Sequence, residues 1–227
     1  MTYDRIVVGY FVSRPNRFIA YVDINGEREL VHVKNTGRCR ELLVQGTTVY
    51  LSVSDNPTRK TKYDLIAVEK VTPNGVILVN MDSQVVNGVA EEYLSSLFPN
   101  GQIRREVTFG NSRFDFYIEN EGKRIFCEVK GVTLENDGIV SFPDAPTERG
   151  VKHLKELISA KKQGYESWVL FVVQMDTAKY LTPNDKTHKE FGEALRLAKK
   201  SGVEIHAISC QITPDTIIPY KEMEVRL

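Results

Sequence analysis

Residues 113–130 read RFDFYIENEGKRIFCEVK, and this stretch decides the fold of the second half of the chain. Alternating apolar and polar residues run on both sides of Glu121-Gly122, where the glycine permits the tight turn of a two-residue hairpin. The stretch therefore predicts two antiparallel strands. Their apolar faces must point into one core, and these faces consist of Phe114, Phe116 and Ile118 in the first strand and Ile125, Cys127 and Val129 in the second.

The polar faces of these strands are predicted to bring two carboxylates together. A register that keeps the apolar faces on one side pairs Phe114 with Val129, Phe116 with Cys127, and Asp115 with Glu128. Directly opposed side chains have Cβ atoms about 4.5 to 5.5 Å apart, where like charges are destabilising unless something offsets them. A divalent cation would offset them, and oxygen ligands of this kind suit Mg²⁺ or Mn²⁺. Lys130 lies on the same face, where it could stabilise charge on a phosphate.

The same hairpin also has a simpler interpretation. The motif Asp…Glu-x-Lys is short and recurs freely, and its residues could form a solvent-exposed strand face on which Asp115 pairs with a neighbouring arginine or lysine. The surroundings favour the metal site, because the hairpin follows a predicted helix that carries Glu91 and Glu92 and precedes another helix and a buried strand.

The first part of the chain predicts a small all-β domain. Residues 4–82 consist of short alternating or β-branched runs, separated by turn sequences such as Asn25-Gly26 and Pro73-Asn74-Gly75. This spacing is typical of a barrel or a sandwich.

The pattern changes after Asn87, where apolar residues recur at helical spacing and indicate a new domain. Helices are expected over about residues 147–164 and 188–201. The apolar run WVLFVV at 168–173 is expected to be a central, buried strand. The second part of the chain therefore predicts a mixed α/β domain.

Composition limits the possible functions. The 227 residues include 41% hydrophobic residues, enough for a sizeable core, and no run is long and apolar enough to predict a membrane span. Three distant cysteines and no signal-peptide pattern favour the cytoplasm. With 30 basic and 30 acidic residues, the whole-molecule charge does not attract a polyanion, so any such partner must be bound locally. The oligomeric state does not follow from the sequence.

Basic residues in the predicted barrel are candidates for nucleic-acid contacts. They lie at or beside loops and are interleaved with aromatic residues such as Phe18 and Tyr21, an arrangement with which OB-type barrels hold single strands. Surface lysines and arginines are common, however, and residues 1–86 contain only 11 basic against 9 acidic residues. Placement must therefore create the binding surface. The candidates are Arg14, Arg17, Arg38, Arg59, Lys60 and Lys62.

The hairpin resembles the Pro-Asp…Asp/Glu-x-Lys nuclease superfamily, and the whole chain resembles the sugar fermentation stimulation protein A family. The second resemblance rests on long strings in both halves of the chain. These strings are RPNRF at 14–18, HVKNTGRCRELL at 32–43, RREVTFGNSRFDF at 104–116, EVKGVTL at 128–134 and FPDAPTERGVKHL at 142–154.

The resemblance implies a fold and a partner. The fold is an N-terminal OB-like β-barrel over residues 1–84, followed by a restriction-endonuclease-like mixed α/β domain over residues 85–227. The implied partner is DNA. For a nuclease, we expect this DNA to be single-stranded or structured.

The superfamily's functional residues carry over onto the hairpin. Asp115 and Glu128 match its metal ligands and Lys130 matches its lysine, with Mg²⁺ or Mn²⁺ as the implied cofactor. The further carboxylate that often comes from a helix would be Glu91 or, by preference, Glu92. The chain departs from the nominal motif in having a phenylalanine where the superfamily has proline.

Three more residues are candidates for supporting roles. Glu148 and Arg149 are expected in the first turn of a helix capped by Thr147 or Asp144, where they could meet a phosphate or simply be part of the capping sequence. Gln174 ends the apolar strand, and some members of the superfamily use such a glutamine near the site.

Two functions remain open, with a third ranked last. The first is a metal-dependent nuclease, and the second is a non-catalytic, regulatory DNA-binding protein that keeps the nuclease fold. The third is a protein-interaction module in which Asp115 and Glu128 hold no metal.

Overall fold

The computed structural model describes residues 1–227. Its first third forms a closed five-stranded barrel with a sixth strand attached. The strands follow the order β3-β2-β1-β4-β5-β6, and an additional parallel pairing of β3 with β5 closes the ring. Their bounds are β1 (Ile6–Asn16), β2 (Ile19–Ile24), β3 (Glu27–Val33), β4 (Thr48–Val53), β5 (Tyr63–Thr72) and β6 (Gly75–Asn80).

The rest of the chain is a mixed α/β domain. A six-stranded sheet has the order β15-β14-β12-β9-β8-β7, and a small second sheet has the order β10-β11-β13-β16. The elements are α1 (Val86–Leu97), β7 (Gln102–Phe109), β8 (Ser112–Asn120), β9 (Lys123–Val132), β10 (Glu135–Asn136), β11 (Ile139–Phe142), α2 (Glu148–Lys162), β12 (Glu166–Val173), β13 (Tyr180–Pro183), α3 (Asp185–Lys200), β14 (Glu204–Ile212), β15 (Ile217–Glu222) and β16 (Glu224–Val225).

The predicted fold class and its main elements are confirmed. β12 contains the apolar run, lies between β9 and β14, and is parallel to both, so its side chains are buried on two faces. Helix α2 begins after Thr147, whose hydroxyl accepts a hydrogen bond from the Gly150 N–H at 3.1 Å. Asp144 does not cap this helix. None of the three helices is long and apolar enough to cross a membrane.

The central hairpin has the predicted turn but differs beyond it. Glu121 and Gly122 have φ values of 49° and 78°, and Phe116 pairs with Cys127 as expected. The β8–β9 ladder then stops. The expected pairing of Asp115 with Glu128 is therefore wrong, and so is the one of Phe114 with Val129.

A change of faces within β7 and β8 explains this difference. Phe116 packs in the core on the α1 side of the sheet, whereas Phe114 packs against Phe126 on the α2 side, with ring centroids 5.4 Å apart. In both strands, the side of the sheet to which alternate side chains point changes where Glu106, with a φ of 58°, lies opposite Asp115. The alternation of a regular strand is lost at this point, and Asp115 is released from the ladder.

Buried ion pairs join the barrel to the α/β domain. Lys34, just after β3, places its Nζ 3.3 Å from carboxylate oxygens of both Asp64 and Asp82. Lys70 of β5 lies 2.5 Å from the Glu135 carboxylate. Both lysines come from the barrel, and the side chains of Asp82 and Glu135 are only 1% and 3% exposed. Charged groups this deeply buried depend on their partners.

Asp64 makes the stability of the barrel sensitive to acid. Burial alone would raise its pKa, but hydrogen bonds from Arg59 and His32 and the charge of Lys34 outweigh burial and lower the pKa to about 2. A folded-state pKa below the unfolded value means that the stabilisation is present above about pH 4 and is lost as the pH falls towards 2.

We therefore expect the difference in unfolding free energy between the native protein and Asp64→Asn to shrink by about 2 kcal/mol between pH 5 and pH 2. Urea denaturation across this range would measure it. The control is Asp23→Asn, which removes an exposed ion pair with Arg28, and for which a change below about 1 kcal/mol is expected. Equal behaviour of the two variants would contradict the prediction.

Candidate metal and nucleic-acid site

Asp115 lies where the hairpin strands separate, and two groups orient its carboxylate. One oxygen accepts a hydrogen bond from the Asn87 side-chain amide of α1 at 2.9 Å. The other accepts from the backbone N–H of Val129 in β9 at 2.8 Å. The second bond takes the place of the missing ladder pair, and it holds the carboxylate beside β9.

Glu128 projects from β9 and has two differently surrounded oxygens. Its Oε1 contacts both the Lys130 Nζ and the His153 Nδ1. Its Oε2 is buried and has no hydrogen-bond partner. A carboxylate oxygen buried without a partner is costly, and a bound cation would offset this cost.

His153, on α2, is held in one tautomer. Arg149 donates a hydrogen bond from Nε to the His153 Nε2 at 3.3 Å, so that Nε2 is the acceptor and Nδ1 carries the proton. His153 therefore donates to Glu128. The side chain of His153 is 5% exposed, and its ring packs edge-on against Phe114.

The two carboxylates have pKa values shifted in opposite directions. Burial raises the pKa of Asp115, and the negative charge of Glu128 raises it further against the hydrogen bonds from Val129 and Asn87. Burial alone would also raise the pKa of Glu128, but the hydrogen bond from His153 and the charge of Lys130 outweigh burial and lower it. The mutual repulsion of these two groups is what a cation between them would relieve.

The residues present fit a divalent cation. The unpartnered Oε2 of Glu128 and the spare lone pairs of Asp115 provide oxygen donors from two carboxylates, which is how Mg²⁺ is commonly held in proteins, with water and phosphate completing its shell. No group of three or more histidine, cysteine, aspartate or glutamate side chains is placed to hold a metal ion.

The structure does not bring Glu92 to this site, and the preference for it is corrected. Asn87 is the α1 residue that contacts Asp115, and Glu92 lies five residues later, about 140° around the helix. Glu92 instead lies 3.7 Å from the amino terminus of Met1, beside β15. Glu91 pairs with Arg105.

The three supporting candidates lie at different places. Arg149 reaches the site through His153, whereas the Glu148 carboxylate is exposed and lies 3.3 Å from His188. Gln174 is buried and donates from its amide to the Asn80 side chain and the Asp82 carbonyl, each at 3.0 Å. Gln174 also lines a cleft that includes Asp115.

Two of the six basic candidates in the barrel are engaged within the protein. Arg14 donates hydrogen bonds to the backbone carbonyls of residues 17, 35, 37 and 38, and so organises the segment after β3. Arg59 forms a bidentate ion pair with Asp64. The other four have exposed side chains and no carboxylate partner: Arg17, Arg38, Lys60 and Lys62.

The aromatic residues of the barrel fall into an exposed group and a buried group. Phe18 and Tyr21 are exposed on the outer surface of the barrel, whereas Phe11 and Tyr63 fill its core. Tyr10, which the sequence did not single out, is exposed on the same barrel. Arg17 lies over the Phe18 ring, with its guanidinium carbon 5.3 Å from the ring centroid.

Comparisons with known proteins identify both parts of the chain. Residues 12–79 match the model described as the SfsA N-terminal OB domain, and residues 81–216 match the model described as the sugar fermentation stimulation protein RE domain.

Curated relatives match along nearly their whole length. One from Clostridium beijerinckii is 54% identical over 220 residues, covering 96% of each chain. One from Desulfitobacterium hafniense is 57% identical over 219 residues, covering 96% of this chain and 94% of the relative. Both are named sugar fermentation stimulation protein homolog.

A solved structure agrees with the fold of the whole chain. It is described as Pyrococcus furiosus SfsA in complex with Ca²⁺, has a TM-score of 0.86 and 28% sequence identity, and the match covers 100% of this chain and 98% of that one. The chain belongs to the SfsA, or sugar fermentation stimulation protein, family.

Proposed function

We propose that this protein binds DNA and hydrolyses its phosphodiester bonds at the site formed by Asp115, Glu128 and Lys130, with Mg²⁺ or Mn²⁺ bound. The observation that carries the proposal is the buried, unpartnered Oε2 of Glu128, a residue whose negative charge also raises the pKa of the oriented Asp115 carboxylate. The Ca²⁺ named for the Pyrococcus relative supports a cation in this family, because Ca²⁺ also takes oxygen ligands.

The side chains of the site have distinct roles in this proposal. Asp115 and Glu128 hold the cation, which activates water and neutralises charge on the phosphate when it is bound. Asn87 and the Val129 N–H keep the Asp115 carboxylate oriented. Lys130, whose side chain is 17% exposed, supplies a positive charge that can meet a phosphate oxygen.

Local positive charge supports DNA as the substrate. Arg17, Arg38, Lys60 and Lys62 are exposed and free of carboxylate partners, although the protein has no net charge. The backbone N–H of Arg38 donates to Asp144 of the α/β domain at 3.1 Å, which ties this part of the barrel to the domain that carries the site. Binding through such residues depends strongly on salt.

The test is cleavage of end-labelled single- and double-stranded DNA with Mg²⁺, Mn²⁺ or EDTA, comparing the native protein with Glu128→Gln purified identically. Metal-dependent cutting that the substitution removes supports a nuclease. If neither protein cuts with any metal, and both bind DNA with the same salt dependence, the non-catalytic DNA-binding function replaces it.

His153 gives a second prediction. Substitution by leucine should fill the same buried space but leave Glu128 with Lys130 as its only hydrogen-bond donor, and we expect cleavage to fall about 10- to 100-fold through kcat, with little change in KM. His153→Asn keeps an N–H donor and should recover part of the rate. The control is His206→Leu, a half-buried histidine on β14. Equal losses in all three variants would contradict this role.

A further inference from the structure

A cleft of about 370 Å³ lies beside the site, between the barrel and the α/β domain. Asp115 forms part of one wall, with Gln84 before α1 on the same side. The barrel contributes Asn35, whose backbone carbonyl is held by Arg14 at 2.6 Å. Asp144 and the carboxyl end of β9 complete the cleft, so both parts of the chain build it.

The lining of the cleft is polar but contains no lysine or arginine. It presents side-chain amides and hydroxyls together with apolar contacts such as Phe142. The side chains of Gln84 and Ser141 form no hydrogen bond within the protein, and the Asn87 amide uses only its N–H group, on Asp115. Such groups match the donors and acceptors of a nucleobase edge, whereas an anion would need the cations that are missing.

The floor of the cleft depends on Gly131, a residue without a side chain. A Cβ at Gly131 would lie 2.9 Å from the Val86 Cγ2, which is closer than real Cβ atoms approach their neighbours, and a tight 3.0 Å from the Gln174 Oε1. The cleft therefore keeps its depth next to β9, the strand that also carries Glu128. Its volume is near the lower end of the range for small-ligand sites, about 300 to 1,000 Å³.

We infer that this cleft receives one unpaired nucleobase adjacent to the phosphate at Asp115, Glu128 and Lys130, so that the protein acts on unpaired or extruded nucleotides and not on intact duplex. The inference rests on the proposed function. A stacked and paired base cannot enter a cleft of this size, and extruding it from a duplex costs free energy that an unpaired nucleotide does not require.

The experiment uses one labelled DNA sequence in three forms: fully paired, with a central unpaired segment, and single-stranded. Affinity is measured with Glu128→Gln protein in Mg²⁺, so that cleavage does not interfere. We expect the two unpaired forms to bind at least about tenfold more tightly than the duplex. Adding Gln84→Ala and Ser141→Ala should reduce this preference several-fold, because both substitutions remove free polar groups from the cleft without breaking a hydrogen bond.

The matched control adds Gln45→Ala and Ser95→Ala instead, two exposed residues outside the cleft that also form no side-chain hydrogen bond. It should keep the full preference. Equal affinity for the three forms, or a preference that the cleft variant retains, would overturn the inference. Cleavage by the native protein is followed in parallel. If unpaired DNA binds more tightly, the cleft variant loses this preference and the native protein cuts no DNA, the inference stands and the proposed nuclease activity is rejected. If the three forms bind equally and the duplex is cut as fast as the others, the nuclease activity stands and the inference is rejected.

Discussion

Replacement of Glu128 by glutamine is expected to lower metal-dependent DNA cleavage by a factor of about 100 to 1,000, the loss typical of removing one charge-stabilising group from an active site. The substitution removes the negative charge that the proposed cation requires, and it leaves an amide oxygen that can still accept hydrogen bonds from Lys130 and His153. The folded structure should therefore survive. The rate is measured with saturating DNA at several Mg²⁺ and Mn²⁺ concentrations.

The matched control is Glu119→Gln, on β8 of the same hairpin, where the carboxylate is exposed and pairs with Arg104 at 3.0 Å. This variant should cleave at the native rate. If both variants cleave like the native protein, the activity does not come from Glu128, and a contaminating nuclease becomes the explanation. Far-ultraviolet circular dichroism and the urea midpoint establish that both variants are folded.

Local sequence was sufficient to predict much of this hairpin. The turn at Glu121-Gly122 needs residues with positive φ, and a glycine in the second position supplies one at little cost. The pairing of Phe116 with Cys127 followed from the alternation of apolar residues alone. Such features depend on neighbours along the chain, and the sequence shows those neighbours directly.

The break at Asp115 could not be predicted in the same way. A period of two places Phe114 and Phe116 on one face, but the sheet is buried on both sides here, so either face satisfies a phenylalanine. The exchange depends on β7, where Glu106 adopts a positive φ that is uncommon for a glutamate. Nothing in the local pattern indicates this conformation.

Residues whose contacts lie on distant parts of the chain could not be predicted from the local sequence either. A lone histidine in a helix is usually structural, and only the packing of α2 against the sheet brings His153 to Glu128. Arg14 has the same limitation, because its hydrogen-bond acceptors are backbone carbonyls on separate segments.

Substitution of Lys34 by methionine is expected to lower the free energy of unfolding by about 3 to 5 kcal/mol. Methionine can replace the apolar stem of the side chain, but it leaves Asp82 buried without a cation. The remaining partners of that carboxylate are the Tyr3 hydroxyl at 3.4 Å and the backbone N–H of Gln84 at 2.8 Å. Urea denaturation at neutral pH would measure a loss of this size, which is a large part of the stability of a typical domain.

Two further variants separate the buried charge from other causes. Lys60→Met removes an exposed lysine without an ion pair and should change stability by less than about 0.5 kcal/mol. The double variant Lys34→Met, Asp82→Asn removes the uncompensated charge and should be more stable than Lys34→Met alone, because deleting both partners avoids the penalty of burying one of them. A double variant no more stable than Lys34→Met alone would mean that packing, not charge, explains the effect.

The same lysine links stability to the proposed use of the cleft. Its backbone carbonyl accepts a hydrogen bond from the Ser83 hydroxyl, and Ser83 and Asn35 both line the cleft. Lys34→Met should therefore loosen the barrel side of the cleft as well as the domain junction. In protein that is still folded, the preference for unpaired over paired DNA should fall together with stability. Retention of the full preference would show that the cleft keeps its shape without this ion pair, and that Arg14 and Asp144 are sufficient to hold the segment after β3.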